Sequence, residues 1–275
     1  MLNNLGKRIK YMYPEKNTDR PIIAAIIGDK HSLIVDSGNS SKHARMFLNE
    51  IEKEGVDNLN YLVLTHWHWD HILGIGEFNL CTIAHIETKK QMEKMIDYKW
   101  DDNSLDKRVK NKQEIEYCAE CIKKEFNSNE REEIKIVLPN IIFEKYLEID
   151  LGGVHCIVEH VGGDHSKDSS IIYVPEEKTI FIGDCDFVEL YNGPFSYNLE
   201  NVKKLFLKLN SYDAKYYVFS HIDKPFSRQE FKNYTDRIIR IGEMVKNSSD
   251  ELDTLEDIND IEIMNFFIEG IKKEN

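Results

Sequence analysis

Three histidines and an aspartate lie within six consecutive positions, in the segment His-Trp-His-Trp-Asp-His at residues 66–71. An apolar run at residues 61–64 ends one residue before this segment and is typical of a buried strand. Residues two apart at a strand end point to the same side, so His66 and His68 can bind one ion. Where the chain then turns, Asp70 and His71 can face a second ion. Imidazole nitrogen and carboxylate oxygen are ligands that zinc and similar divalent ions accept, so the segment predicts a metal site.

Other strand ends carry further ligand candidates. His165 follows a glycine-opened turn, Asp184 directly follows a predicted buried strand, and His221 follows the last predicted strand. Because strand ends converge on one rim of a sheet, we expect these three side chains to lie near the 66–71 segment. A site for two metal ions would need these additional ligands, since one loop supplies at most four.

The remaining pattern predicts a mixed α/β protein in one domain over residues 1–275. Predicted strands lie at residues 21–27, 32–35, 61–64, 81–84, 146–150, 154–158, 171–174, 179–182 and 216–219, and predicted helices at about 41–54 and 198–210. Residues 86–130 contain no Pro or Gly and are rich in Lys and Glu, which predicts an inserted pair of helices broken near residues 101–104. Two or three further helices are predicted over about 227–275.

Charge and cysteine content restrict the partners and the compartment. The formal net charge of −13 disfavours nucleic acid and anionic lipid as partners. No uncharged apolar stretch approaches 18 residues and the first residues do not resemble a signal peptide, so no membrane association is expected. Five scattered cysteines suit a reducing compartment, which makes the cytoplasm the expected location. The Cys118-x-x-Cys121 pair lies in a charged helical stretch, and a redox role for it is disfavoured.

With these residues, the chain resembles the metallo-β-lactamase superfamily over about residues 20–225. The 66–71 segment matches the signature string of that family, and the segments that end at His165, Asp184 and His221 stand in its order of further ligands. The segment Leu-Ile-Val-Asp-Ser-Gly at 33–38 is similar to the early strand whose aspartate supports the metal loop. The resemblance implies a four-layer αββα sandwich with two metal ions at one edge.

The resemblance also implies a role for each of these side chains. It assigns His66, His68 and His165 to the first metal, Asp70, His71 and His221 to the second, and Asp184 to a bridge between them. Asp36 would hydrogen-bond the metal loop without touching an ion. Asp164, next to His165, is interpreted either as a turn former or as a hydrogen-bond partner of His165. Cys185, one residue out of register with a ligand position of some lactamases, is expected to be buried beside the site.

Four aromatic residues are weaker candidates for the substrate pocket. Trp67 and Trp69 alternate with the ligands, and each is interpreted as packing the loop or as forming a wall of the pocket. Tyr191 and Tyr197 lie in a segment that follows Asp184 and is expected to cover the site. Each tyrosine is interpreted as a packing residue or as a donor to an oxyanion.

Together these predictions favour a metal-dependent hydrolase that acts on a small molecule. Two divalent ions, with zinc favoured and iron or manganese left open, would activate a water for attack on an ester, thioester, lactone or lactam. Asp70 would orient that water or accept its proton. The alternatives are a phosphodiesterase for a small nucleotide or phospholipid head group, an iron-dependent oxidoreductase, and a binding module without catalysis. The sequence leaves the substrate and the oligomeric state open.

Overall fold

The computed structural model describes residues 1–249, Leu252 and 255–274. This part of the chain contains two β-sheets, and the first has seven strands in chain order. They are β1 (Asn3–Leu5), β2 (Ile9–Met12), β3 (Ile23–Ile27), β4 (Ser32–Val35), β5 (Leu59–Val63), β6 (Cys81–His85) and β7 (Ile141–Phe143). Neighbouring strands are antiparallel from β1 to β4 and parallel from β4 to β7.

The second sheet has six strands. They are β8 (Tyr146–Asp150), β9 (His155–His160), β10 (Ser170–Val174), β11 (Thr179–Gly183), β12 (Tyr216–Phe219) and β13 (Phe226–Ser227). The order is β13-β12-β11-β10-β9-β8, and only the β11–β12 pair is parallel among these strands. The predicted hairpins at 146–158 and 171–182 correspond to the antiparallel pairs β8–β9 and β10–β11.

Nine α-helices lie in the part of the chain that the structure describes. They are α1 (Ser41–Lys53), α2 (Trp69–Ile72), α3 (Ile86–Met95), α4 (Asp102–Lys110), α5 (Glu116–Glu125), α6 (Ser128–Glu132), α7 (Leu199–Asn210), α8 (Arg228–Lys246) and α9 (Ile258–Glu274). None of the described helices combines the length and the apolar composition needed to cross a membrane.

The alternation of side chains along β4 explains how the layers form. All four residues of β4 are buried, because each face of this strand packs against a different layer. Ile34 packs in one apolar cluster with Phe47 of α1 and with the insertion helices. Leu33 and Val35 point the other way and share a second cluster with Phe181 of β11. A third cluster joins the outer face of the second sheet to α7, α8 and α9. The layers are therefore helix, sheet, sheet and helix, as predicted.

The ends of four parallel strands form one rim of this sandwich. β4 and β5 are parallel neighbours in the first sheet, and β11 and β12 are parallel neighbours in the second. Two main-chain hydrogen bonds join the sheets at the rim: Ser170 donates to the carbonyl of Thr65 at 2.8 Å, and Ile22 donates to that of Ser220 at 2.7 Å. Each predicted ligand segment except the one that ends at His165 follows one of these strands with at most two residues between them.

The insertion contains more helices than predicted. Four helices, α3 to α6, lie between β6 and β7, so the prediction of two helices over residues 86–130 is wrong. Asp101 begins α4 by accepting a hydrogen bond from the amide of Ser104, and Asn127 begins α6 with a reciprocal capping box. These caps allow short helices to begin without a Pro or Gly between them.

The predicted C-terminal helices are α8 and α9 within the described residues. Ser227 and Glu230 form the capping box that begins α8, and Phe231 and Phe267 place both helices on the outer apolar cluster. Residues 250–251, 253–254 and 275 of the predicted helical range lie outside the described residues.

Candidate metal centre

The backbone after β5 changes from extended to helical at His68. His68 has φ −61° and ψ 148°, and the single-turn helix α2 begins at the next residue. The extended part brings the rings of His66 and His68 to 4.5 Å between centroids. The helical turn carries Asp70 and His71 to the opposite side of His66, whose ring is 4.2 Å from that of His71. One short segment therefore supplies ligands to two adjoining clusters.

Asp36, directly after β4, holds this loop in place. Its Oδ1 accepts a hydrogen bond from the Thr65 amide at 2.7 Å, and its Oδ2 accepts from Thr65 Oγ1 at 2.9 Å and from His71 Nδ1 at 2.8 Å. Because a carboxylate only accepts, His71 carries a proton on Nδ1, so Nε2 is the nitrogen that can bind a metal ion. Asp36 lies where the sequence predicted it, hydrogen-bonded to the metal loop.

The first cluster consists of three buried imidazoles, those of His66, His68 and His165. One nitrogen from each lies within 4.8 Å of the others, and the Nε2 atoms of His66 and His165 are 3.3 Å apart. His165 donates from Nδ1 to the carbonyl of Val188, and His66 Nδ1 lies 3.0 Å from Thr65 Oγ1, whose own proton goes to Asp36. The Nε2 atoms that face one another therefore carry lone pairs.

The second cluster consists of Asp70, His71, Asp184 and His221. His71 Nε2 lies 3.0 Å from Asp70 Oδ2 and 3.2 Å from Asp184 Oδ2, and His221 Nε2 lies 3.2 Å and 3.3 Å from the same two oxygens. Asp184 Oδ2 is also 3.9 Å from His66 Nε2 and 3.7 Å from His165 Nε2. The Asp184 carboxylate thus lies between the two clusters.

The histidines of the two clusters differ in the direction of their pKa shifts. Burial lowers the pKa of His66 and His68 well below the ordinary imidazole value, and it lowers the pKa of His165 as well. Burial acts in the same direction on His71 and His221, but nearby aspartates outweigh it and raise the pKa of both well above the ordinary value. The first cluster is therefore a set of neutral nitrogen donors, and the second combines imidazole with carboxylate.

These donor sets fit two divalent cations. The Nε2 of His68 is buried and has no hydrogen-bond partner among the described residues, and an unpaired buried polar atom costs free energy. The facing lone pairs of the first cluster repel one another unless a positive charge lies between them. Three imidazoles, and a neighbouring set of two imidazoles and two carboxylates, are donors that zinc and similar ions accept.

Asp19 was not among the predicted site residues, yet it lies beside His221. Its Oδ1 is 3.5 Å from His221 Nδ1 and accepts a hydrogen bond from the Tyr117 hydroxyl at 3.3 Å. Burial, assisted by the charge of Asp70, raises the pKa of Asp19 to about 6. No motif precedes Asp19; the one local signal is a polar turn, which the structure closes with a bridge between Glu15 and Arg20.

The insertion reaches the metal centre through Glu114, which the sequence analysis also missed. Glu114 accepts a hydrogen bond from the Tyr191 hydroxyl at 3.2 Å. The Tyr191 ring lies 5.2 Å from that of His68 and 5.6 Å from that of Trp67. Tyr191 therefore lies over the first cluster, in the segment predicted to cover the site, with its hydroxyl directed to the insertion.

A cavity of about 510 Å³ opens onto both clusters. Its wall is formed by the insertion, by the ends of the strands, by the segment after β11 and by helix α8. The wall consists of Asp19, His68, Trp69, Asp70, Ile115, Tyr117, Cys118, His165, Gly183, Asp184, Asp186, Phe187, Leu190, Tyr191, Phe195, Phe219, Ser220, His221, Ile222 and Tyr234. Trp69 and Tyr191 thus line the cavity, as the sequence analysis considered.

Trp67 and Tyr197 are absent from the cavity wall. Trp67 donates from Nε1 to Ser166 Oγ and packs the loop. Tyr197 is buried against Phe267, and its hydroxyl donates to the carbonyl of Asp186 at 2.9 Å. The pocket role considered for Trp67 and Tyr197 is therefore wrong, because packing and hydrogen bonding turn both side chains away.

Asp164 and Cys185 flank two of the predicted ligands. Of the two interpretations of Asp164, that of a hydrogen-bond partner of His165 is wrong. Its carboxylate instead accepts from the Asn198 amide and from Asn201 Nδ2, both at 2.7 Å, at the start of α7. Cys185 is buried beside the site, as expected.

The family model described as "Metallo-beta-lactamase superfamily" matches residues 21–221 of the chain. This range contains all seven predicted ligands and ends at the last of them. No curated protein gives a significant match in sequence.

Solved structures with a similar fold include two metallo-beta-lactamases and an alkylsulfatase. The metallo-beta-lactamase from Pontibacter korlensis has a TM-score of 0.61 and 16% identity, with 86% of this chain and 97% of that one covered. The enzyme from Erythrobacter litoralis has a TM-score of 0.55 and 12% identity, over 86% and 94%. The inverting sec-alkylsulfatase from Pseudomonas sp. has a TM-score of 0.63 and 14% identity, over 90% of this chain and 42% of that one.

Proposed function

The chain belongs to the metallo-beta-lactamase superfamily, and on this basis we propose that it is a hydrolase with two divalent metal ions, of which zinc suits the ligands best. The substrate is a small molecule with a carbonyl-type bond: an ester, a thioester, a lactone or a lactam. Water supplies a hydroxyl to the acyl carbon and a proton to the leaving group. The observation that carries this proposal is the pair of adjoining donor clusters, with the Asp184 carboxylate between them.

The side chains of the two clusters divide the work. His66, His68 and His165 would hold one ion, Asp70, His71 and His221 the other, and Asp184 would contact both. When bound, such ions would supply an activated water and a positive charge beside the carbonyl oxygen. Asp36 keeps His71 in the tautomer that offers Nε2, through its hydrogen bond to Nδ1.

Asp70 is the proposed proton acceptor. It is buried, it lines the cavity, and its Oδ2 faces both His71 and His221. A carboxylate in this position can orient the attacking water and take its proton, and can then return the proton to the leaving group. The aromatic wall above the clusters excludes bulk water from the reacting bond.

Metal analysis and a substrate panel test this proposal together. We expect about two equivalents of metal in protein purified without added metal. The panel contains an aryl ester, a thioester, a lactone, a chromogenic β-lactam and bis(p-nitrophenyl) phosphate. Turnover of at least one carbonyl compound supports the proposal, whereas turnover confined to the phosphodiester would favour a phosphodiesterase.

The variant Asp184→Asn removes the carboxylate that lies between the clusters. We expect kcat/KM to fall by at least about 100-fold and the metal content to decrease. Asp223→Asn is the matched control, because Asp223 is exposed and only two residues from His221. Full activity and unchanged metal content in Asp184→Asn would refute the proposed site.

A further inference from the structure

Outside the two clusters, most residues that line the cavity are aromatic or aliphatic. Ile115, Tyr117 and Cys118 come from the insertion, and a further apolar group comes from the segment after β11. That group consists of Phe187, Leu190, Tyr191 and Phe195. Phe219, Ile222 and Tyr234 close the remaining side. A volume of about 510 Å³ is in the range of pockets that enclose a small organic ligand.

Outside the histidines of the two clusters, the charged side chains on this wall are all acidic. Among the described residues that line the cavity, the carboxyls are Asp19, Asp70, Asp184 and Asp186, and none of the lining residues is Lys or Arg. Asp186 accepts a hydrogen bond from the Tyr234 hydroxyl at 2.6 Å. Neither protonation state of these carboxyls supplies a positive charge to a ligand.

Several cations close in sequence to the wall have other partners. Arg20 donates from Nε and Nη2 to the carboxylate of Glu125. Lys224 is largely exposed and pairs with Glu230. The guanidinium of Arg108 packs over the ring of Tyr98 and donates to a backbone carbonyl. An anionic group held in the cavity away from the metal clusters would therefore lose its hydration without gaining a counter-charge from the wall.

We propose that the substrate of this site is a neutral ester or thioester whose part beyond the reacting bond is apolar and carries no anionic group. This inference rests on the proposed function, because it concerns the rest of the molecule once the reacting bond lies at the metal clusters. It disfavours carboxylate-bearing β-lactams, nucleotides and thioesters of phosphate-bearing carriers. It also predicts that burial of the apolar part of the substrate, and not recognition of a charged group on it, supplies the binding free energy.

Two matched esters test this inference through turnover. 4-Nitrophenyl hexanoate is neutral, and mono-4-nitrophenyl adipate has the same chain length with a terminal carboxylate. We expect kcat/KM to be at least tenfold higher for the hexanoate, mainly through KM. Equal values, or a preference for the adipate, would overturn the inference and leave the proposed hydrolase function intact.

A second measurement needs no turnover. Binding of hexanophenone and of 5-benzoylpentanoate, its carboxylate counterpart, is measured by calorimetry on the metal-loaded protein. We expect the ketone to bind at least tenfold more tightly. If the ketone binds preferentially but no ester is hydrolysed, the inference on the cavity stands and the proposed function fails. If the carboxylate binds as tightly, or neither compound binds, the inference is wrong.

A positive charge placed on the wall gives the converse test. Phe195 lines the cavity and is partly exposed, so Phe195→Lys introduces an ammonium without burying it completely. We expect the preference for hexanoate over adipate to fall severalfold in Phe195→Lys and to persist in Phe195→Gln, which removes the same ring without adding charge. A preference that both variants change equally would contradict the electrostatic part of the inference.

Discussion

The substitution Asp36→Asn tests whether a carboxylate behind the metal loop sets the state of His71. Asp36 has a backbone φ of 56°, in the left-handed region, which Asn adopts more readily than most residues. The two side chains have nearly the same shape. The change therefore removes a charge and one acceptor atom while it largely preserves the backbone, and any large effect must come from the hydrogen bonds.

The expected loss of stability follows from the hydrogen bonds that Asp36 accepts. The amide oxygen of the substituted side chain can still accept from the Thr65 amide, which lies 2.7 Å from Oδ1 of Asp36. The amide nitrogen then replaces Oδ2 and meets two donors, Thr65 Oγ1 at 2.9 Å and His71 Nδ1 at 2.8 Å. Two hydrogen bonds to a charged group are lost, at about 1.5–3 kcal/mol each. We expect the free energy of unfolding to fall by about 3–6 kcal/mol.

Metal affinity should fall for a separate reason. With an amide N–H against its Nδ1, His71 is favoured in the tautomer that carries the proton on Nε2, the atom that faces Asp70 and Asp184. Loss of such an outer hydrogen-bond partner typically costs 10–100-fold in metal affinity, or about 1.4–2.7 kcal/mol. Competition against a chromophoric chelator measures the affinity, and urea unfolding followed by circular dichroism measures the stability.

The matched control is Asp164→Asn. Asp164 also accepts two hydrogen bonds, it lies next to a proposed ligand, and its partners are Asn198 and Asn201. We expect this variant to lose some stability and to keep its metal affinity. An Asp36→Asn protein that binds metal within twofold of the wild type would refute the reasoning, as would an equal loss of affinity in the control.

Three further perturbations have defined outcomes. Gly183→Ala places a Cβ 2.9 Å from the Cβ of Thr65 at a φ of +59°, so we expect the free energy of unfolding in urea to fall by about 1–3 kcal/mol. The control Gly55→Ala has a φ of +73° and open space around it, so its free energy of unfolding should fall less. Equal losses in the two variants would contradict the steric argument. Burial would raise the pKa of Glu125, but its hydrogen bonds, chiefly from Arg20, outweigh burial and lower the pKa. The ionised Glu125 carboxylate therefore stabilises the fold above about pH 4.5, and this stabilisation is lost as the pH falls further. The stability deficit of Glu125→Gln should therefore be about 1.5–3 kcal/mol at neutral pH and should shrink below pH 4.5; a constant deficit would count against this sign. Chelation should lower the Tm, and added zinc should restore it; an unchanged Tm would contradict a metal bound in the folded state.

The sequence analysis located the candidate ligands because each one belongs to a local pattern. Asp36 and Asp184 directly follow strands that the sequence identifies by apolar runs, and His221 follows such a strand after one residue. The 66–71 segment is continuous. Parallel neighbours must end on the same side of a sheet, so locating the strands was sufficient to predict the rim. The structure brings all seven proposed ligands together there.

The contacts that the sequence did not predict join residues far apart in the chain. Asp19 and His221 are separated by about 200 positions, and Glu114 and Tyr191 by 77. No periodicity connects such pairs, because their proximity depends on how the insertion packs against the core. Strands β1, β2 and β7, of three or four residues each, were not predicted either.

Two hydrogen bonds connect the insertion to residues that lie beside the proposed metal ligands, one at each cluster. Tyr117 donates to Asp19, which faces His221, while Glu114 accepts from Tyr191, whose ring lies beside that of His68. Both contacts begin on the insertion, and each leads through one intermediate residue to a proposed ligand. The strand ends thus supply the donor atoms, and the insertion supplies part of the apolar wall together with supports for the ligands. A change of the insertion that reshapes the wall should therefore also alter metal affinity, whereas changes at the exposed end of Phe195 should alter selectivity alone.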